Sequence, residues 1–109
     1  GRPEGSRLLV LAPLVRDRKG EYRREFASMV RQGYVRARVD GEVVELVDRE
    51  PPALDRKRRH TIEVVVDRVV VRPSARGRIA DSVETALELG DGVVVVHEVR
   101  AGSDTTYSE

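Results

Sequence analysis

The chain has 109 residues, the usual length of one domain, and is long enough to bury a core without disulfides or metals. Its 20 Lys and Arg residues balance 19 Asp and Glu residues, and the net charge of +1 excludes a protein that coats nucleic acid with unopposed positive charge. Because it contains no cysteine, disulfide frameworks and thiolate metal sites are excluded within it.

The first third of the chain predicts one strand and one helix. The apolar run from Arg7 to Val15 is typical of a buried strand, with Pro13 marking the end of its regular ladder. From Lys19 to Gln32 the apolar residues recur at helical spacing, and they are Tyr22, Phe26, Met29 and Val30. This pattern predicts an amphipathic helix, and Gly33 is suited to its C-terminal cap.

The charged segment RDRKGEYRREF, residues 16–26, could be a phosphate-binding loop, a nucleic-acid contact or only the solvated start of this helix. A phosphate-binding loop needs GxxxxGK followed by Ser or Thr, so that backbone N–H groups and the lysine converge on phosphate. Here Lys19 precedes Gly20 and no hydroxyl residue follows. We therefore predict a loop and a helix N-terminus, where Glu21 complements the helix dipole.

Residues 34–40 alternate with period two, which predicts a strand with apolar residues on one face and Arg36 and Arg38 on the other. The dipeptide Asp40-Gly41 favours a tight hairpin turn into a second strand over residues 42–46. These features together predict a β-hairpin.

The rest of the chain predicts five segments. In order, they are a loop over residues 47–60, a valine-rich strand over 61–72, a helix over 78–89 capped by Gly90, a buried strand over 93–96, and a polar tail over 97–109 that is expected to fray.

The order of these elements predicts an α+β fold, a mixed β-sheet of about five strands with two main helices packed on it. We expect a single domain over residues 1–109. The pairing order of the strands does not follow from the pattern.

No residue constellation points to catalysis or to a metal. No pair of carboxylates lies isolated in an apolar setting, and the serines carry no signature of an activated nucleophile. His60 and His97 lie far apart and are interpreted as ordinary polar residues at strand margins. No apolar run approaches the ~20 residues that span a bilayer, and the N-terminus lacks signal-peptide architecture, so we expect a soluble, cytoplasmic protein.

The most unusual feature is the pair Asp67-Arg68 inside the run VVVDRVVV. In a regular strand Arg68 would share a face with valines, and an isolated buried charge is costly. Either the pair lies at a bulge or an edge, or Arg68 reaches the surface. The alternatives are a solvated face with local ion pairs and a docking surface whose arginines bind a partner's carboxylates.

Four blocks of the sequence carry a family resemblance. They are LAPLVRDRKGEYRREF, QGYVRARVDGEVVEL, KRRHTIEVVVDRVVVR and RIADSVETALELGDG. In this order and spacing, from about Arg7 to Val96, they resemble the UvrB-binding domain of UvrA, the damage sensor of bacterial nucleotide excision repair.

The resemblance implies a module inserted into an ABC-type ATPase whose ATP-binding and zinc-binding parts lie elsewhere in the parent protein. It implies no enzyme activity and no cofactor in this chain. The implied partners are UvrB and, on the same surface, the UvrB-like module of Mfd. The family's docking arginines carry over to Arg36 and Arg68, and Arg38, Asp67 and Lys19 are secondary candidates for partner contact.

Two hypotheses therefore follow. The first is a monomeric protein-interaction module that binds UvrB through an arginine-centred surface. The second is a basic module that contacts DNA near the lesion. Its candidate residues are Arg16, Arg18, Lys19, Arg56, Lys57, Arg58 and Arg59.

Overall fold

The computed structural model describes residues 4–109, so the first three residues of the predicted domain 1–109 lie outside the described residues. The elements, in chain order, are β1 (Arg7–Lys19), α1 (Arg23–Arg31), β2 (Arg36–Val39), β3 (Glu42–Glu45), β4 (Arg59–Val70), a single 3-10 turn (Pro73–Ala75), α2 (Arg76–Leu89), β5 (Val93–Glu98) and β6 (Ser103–Ser108).

The α+β class is confirmed, and the sheet has the strand order β3-β2-β4-β1-β5-β6. It has six strands rather than about five, and the pairs β1/β5, β2/β3, β2/β4 and β5/β6 are antiparallel. The predicted mixed sheet rested on two strand-helix-strand units. Helix α1 connects β1 to β2, but β4 lies between these strands in the sheet. Helix α2 connects β4 to β5, but β1 lies between them, so neither helix joins adjacent parallel strands.

The described residues form two compact units. The α1 unit comprises Leu14–Val65, and the α2 unit comprises the residues up to Pro13 together with Val66–Glu109. Strands β1 and β4 each contribute residues to both units. The boundaries of the predicted single domain stay a prediction.

The core of the α1 unit is aliphatic with one phenylalanine. Phe26 and Met29 of α1 are each 1% exposed, which confirms the predicted apolar stripe at these positions, whereas Val30 is exposed. The most deeply buried strand residues of this unit are Ala37, Ile62 and Val64.

The helix α1 begins at Arg23, four residues later than predicted. Gly20 has φ 149° and Tyr22 has φ 58°. Both angles are positive, whereas a right-handed α-helix needs a negative φ. The Tyr22 hydroxyl donates to the Lys19 carbonyl over 2.8 Å, which closes this turn before the helix starts. The chain therefore leaves β1 through a fixed turn.

The predicted stop of α1 at Gly33 is confirmed. Gly33, at φ 94°, donates its N–H to the Val30 carbonyl, and Tyr34 donates to the Met29 carbonyl, both over 3.0 Å. This is the Schellman arrangement, in which a left-handed glycine lets the chain turn back onto the last helical turn.

In the α2 unit β5 pairs with β1 on one side and with β6 on the other. The tail 97–109, which the sequence predicts to fray, instead completes β5 and forms β6 over Ser103–Ser108. Its polar residues include Thr105, Thr106 and Tyr107, types that favour strands when a neighbouring strand offers hydrogen bonds. A turn in which the Gly102 N–H donates to the Glu98 carbonyl joins the two strands.

The helix α2 ends at Leu89 with Gly90 at its C-terminal cap, as predicted, and the Gly90 N–H donates the last helical hydrogen bond to the Ala86 carbonyl over 2.8 Å. A Cβ atom at this position would lie 2.2 Å from the Val93 carbonyl oxygen and 3.0 Å from Pro13 Cδ. Close backbone packing therefore requires glycine here. No helix within residues 4–109 is long and apolar enough to cross a membrane.

Candidate interaction residues

Arg36 lies on β2 directly opposite Glu45 of β3. Its Nε–H donates to Glu45 Oε1 over 2.9 Å, and the two side chains are 30% and 48% exposed. A guanidinium carries five N–H donors, and this ion pair uses the one on Nε. Arg36 therefore combines solvent access with donors suited to an approaching carboxylate.

Arg38 points to the same face of β2 as Arg36, but its environment differs. Glu63 of β4 lies directly opposite and accepts from Arg38 Nε and Nη2 over 2.7 and 2.6 Å. The two side chains are only 10% and 6% exposed. The arginine that the sequence places on an exposed face is thus held in a buried, bidentate ion pair.

Sequence reasoning did not single out Glu63, the acidic partner of this pair. A signal was present, since Glu63 is the only acidic residue among the first six positions of the predicted strand TIEVVV. A lone carboxylate inside a valine run needs a partner when it is buried, and arginine is the residue best suited to that task.

Asp67 of β4 is surrounded by donors of its own unit. Arg78 of α2 donates from Nε and Nη2 over 2.9 and 2.7 Å, and the Ser82 hydroxyl donates over 2.6 Å. The Asp67 side chain is mostly buried. The hydrogen bonds from Arg78, helped by Ser82, outweigh this burial and hold the pKa of Asp67 below its usual value.

Arg68 is exposed, so the alternative in which it reaches the surface is the one that the structure adopts. Its backbone is held on both sides of the residue. The Arg68 N–H donates to Asp67 Oδ1 over 2.8 Å, and its carbonyl accepts from Arg78 Nη2 over 3.3 Å. Asp67 and Arg78 therefore fix the strand from which the Arg68 side chain projects.

Lys19 is the exposed last residue of β1. The segment that the sequence predicts as a loop and helix start is a strand as far as Lys19. Strand β1 continues that far past a left-handed residue, Asp17 (φ 50°), whose N–H donates to the Thr61 hydroxyl over 3.1 Å. The Asp17 carbonyl accepts from Arg59 Nη1 over 2.9 Å, which binds part of the basic cluster to β1.

His60, near the start of β4, is buried between two acceptors. Its Nδ1 lies 2.7 Å from Asp40 Oδ2, and its Nε2 lies 2.7 Å from the Asp55 carbonyl oxygen. Both contacts are satisfied when each ring nitrogen carries a proton, which is the imidazolium form. These acceptors raise the pKa of His60, with the Asp40 hydrogen bond as the main cause and burial acting against it.

The Asp40-Gly41 hairpin turn is confirmed, with φ values of 50° and 87°. The Asp40 carboxylate also contacts His60 Nδ1 and accepts a hydrogen bond from the Thr61 N–H. Burial opposes ionisation of Asp40, but these hydrogen bonds outweigh it and lower its pKa. The histidine thus links the β2-β3 turn to the loop that precedes β4.

The candidate residues divide between the two units. Lys19, Arg36 and Arg38 belong to the α1 unit, while Asp67 and Arg68 belong to the α2 unit. Among the described residues no group of three or more His, Cys, Asp or Glu side chains could hold a metal ion.

Comparison with known families decides what this chain is. Residues 1–100 match the model of a family described as the UvrA interaction domain. The chain belongs to the UvrA interaction domain family. The resemblance found in the four sequence blocks is therefore confirmed.

Individual relatives of this UvrA interaction domain carry the name UvrABC system protein A. The protein of Rhizobium meliloti (strain 1021) is 56% identical over 92 residues, covering 84% of this chain and 9% of that protein. That of Streptomyces coelicolor is 56% identical over 107 residues, covering 98% and 10%. That of Escherichia coli (strain K12) is 51% identical over 98 residues, covering 90% and 10%. The chain thus spans about a tenth of the length of these relatives.

Proposed function

We propose that this chain is the module through which UvrA recruits UvrB during nucleotide excision repair. The observation that carries the proposal is the match of residues 1–100 to a family described as an interaction domain. The residue chemistry supports it, because Arg36 and Arg68 present guanidinium groups to solvent. Such groups recognise carboxylates with two parallel hydrogen bonds.

In this proposal the five candidate residues have different roles. Arg36 and Arg68 contact the partner. Arg38 and Asp67 act indirectly, since their charged groups are already occupied by Glu63 and by Arg78 and Ser82, and they hold β2 and β4 in place. Lys19 is exposed and contributes a longer-range attraction.

The proposal extends to the parent protein by the family resemblance. The UvrB-like module of Mfd would bind the same arginines and compete with UvrB. ATP hydrolysis and zinc binding would belong to other parts of a UvrA chain, about nine-tenths of which lies outside the length matched here.

Calorimetric titration of the chain with purified UvrB tests the proposal. We expect Arg36→Glu and Arg68→Glu each to weaken binding by at least about tenfold, because a carboxylate would then face a carboxylate. Added salt should weaken wild-type binding as well. Circular dichroism of each variant verifies that it is folded.

Matched charge reversals serve as controls in each unit. Arg24→Glu on α1 and Arg76→Glu on α2 change the net charge equally at exposed positions outside the proposed contact. They should leave the affinity within about twofold. Equal losses in all four variants would contradict the residue assignment, and a wild-type chain that does not bind UvrB would contradict recruitment itself.

A further inference from the structure

We propose that Glu45 occupies the place on Arg36 that a partner's carboxylate takes, so that Glu45 acts as an internal competitor and sets the selectivity of this contact. The inference rests on the proposed function, in which Arg36 binds UvrB. It concerns a residue that no sequence motif points to.

The two cross-strand ion pairs on this face of β2 provide the comparison. Arg38 and Glu63 form a bidentate pair with both side chains almost fully buried. Arg36 and Glu45 form a pair through Nε alone, with Glu45 about half exposed. The Arg38–Glu63 pair cannot separate without leaving a buried charge unpaired, whereas the Arg36–Glu45 pair can separate without disturbing a buried group.

The energetics favour exchange at Arg36. An exposed ion pair contributes little, since water solvates both charges and the side chains lose rotamer freedom. A partner carboxylate that takes the edge of the guanidinium held by Glu45 gains two parallel hydrogen bonds, one from Nε and one from the neighbouring Nη, and the surface it buries strengthens them. Breaking the contact between Arg36 and Glu45 therefore costs less free energy than the contact with the partner carboxylate provides.

An internal competitor also provides selectivity. Any anion that approaches Arg36 meets the Glu45 charge, which repels it until Glu45 swings away. Only a partner whose carboxylate is held in the correct geometry displaces Glu45. A carboxylate presented by a folded protein meets this condition, and a diffuse line of phosphates along duplex DNA does so less well.

The test compares three forms of the full chain by titration with UvrB. Glu45→Gln keeps the shape of the side chain and removes its charge, and we expect about two- to fivefold tighter binding, the release expected of an exposed ion pair. Glu42→Gln is the matched control. It lies on the same strand, is exposed, removes the same charge, and faces away from Arg36 because side chains alternate along a strand.

A second pair of variants isolates the competition. In an Arg36→Ala background, Glu45→Gln should leave the remaining affinity unchanged, because nothing is left for Glu45 to compete for. A gain that persists without Arg36 would overturn the inference. So would an equal gain in Glu42→Gln, which would reflect net charge alone.

The remaining outcomes separate this inference from the function on which it rests. Wild-type binding that Glu45→Gln leaves unchanged or weakens would overturn the inference and leave recruitment standing. A Glu45→Gln variant that gains affinity only for duplex DNA would overturn the assignment of a protein carboxylate as the ligand. No wild-type binding to UvrB would overturn the proposed function and this inference together.

Discussion

At the scale of single residues, two arginines on one strand face have different tasks. Arg36 is partly exposed and pairs with Glu45, while Arg38 is buried and pairs with Glu63 through two hydrogen bonds. Removing one partner of a buried pair leaves the other charge without compensation, and this is far more costly than breaking an exposed pair.

We therefore expect Arg38→Ala to lower the free energy of unfolding by about 3–5 kcal/mol and Arg36→Ala by about 1 kcal/mol or less. Urea denaturation followed by circular dichroism measures both. The double variant Arg38→Met Glu63→Leu should recover most of the loss, because a well-packed apolar pair needs no desolvation. Similar small losses in both alanine variants would show that the Arg38–Glu63 pair contributes little.

The second residue-scale prediction concerns His60 and pH. Its folded pKa is raised above the ordinary 6.5, so its stabilising effect is complete below that pH and is lost as pH rises through the raised value. The pKa of Asp40 is lowered from 3.8, so its effect is present above that pH and is lost in acid as pH falls through the lowered value. Between these limits the contact is fully formed.

We expect the free energy of unfolding to fall as pH rises above 6.5 through the raised pKa of His60, and the Asp40→Asn variant to show a shallower fall. Urea titrations at a series of pH values measure the slope. A slope that Asp40→Asn leaves unchanged would mean that another group titrates.

At the scale of elements, a glycine marks the C-terminal end of each helix. Gly33 and Gly90 both follow the last helical turn, and both were predicted as stops from the sequence. They act for different reasons, since Gly33 has a positive φ and Gly90 has φ −90° but no room for a side chain.

Two glycines, Gly77 inside α2 and Gly90 at its C-terminal cap, give the element-scale prediction. Gly90→Ala should lower the free energy of unfolding by about 1–3 kcal/mol, because its Cβ would meet the Val93 carbonyl oxygen and force the backbone to move. Gly77→Ala should raise the free energy of unfolding by about 0.4–1 kcal/mol, because the added Cβ has no atom within 4 Å apart from its chain neighbours and the nearby helix backbone, and the unfolded chain loses freedom. Thermal unfolding of both variants measures the contrast, and a neutral Gly90→Ala would contradict the close packing.

At the scale of the whole molecule, the charges almost cancel. The net charge of +1 predicts weak attraction to duplex DNA, although Arg56, Lys57 and Arg58 are exposed in one loop. The protein-interaction role therefore has more electrostatic support than the DNA-contact alternative.

Fluorescence anisotropy with a labelled duplex tests this balance. We expect weak binding whose logarithm falls with the logarithm of salt concentration at a slope that reflects only a few phosphate contacts. The triple variant Arg56→Ala Lys57→Ala Arg58→Ala should reduce that slope. Tight DNA binding at physiological salt that this variant abolishes would favour the DNA-contact hypothesis.

The sequence by itself determined the features that depend on neighbours along the chain. The hairpin turn at Asp40-Gly41, the apolar positions Phe26 and Met29 and the C-terminal end of α1 at Gly33 follow from backbone preference and periodicity. The sequence pattern did not predict strand β6, because its residues are polar and its hydrogen bonds are made to β5.

Only the tertiary structure decided which charged residues are available to a partner. Arg36 and Arg38 have the same local pattern, and their difference comes from Glu63, which is 25 residues from Arg38 in sequence but directly opposite it on β4. Asp67 and Arg68 likewise separate into a held and an exposed residue because α2 supplies Arg78 and Ser82. The burial and the ion pairing of a charged side chain depend on which residue of another element lies next to it, and the periodicity of the sequence does not identify that residue.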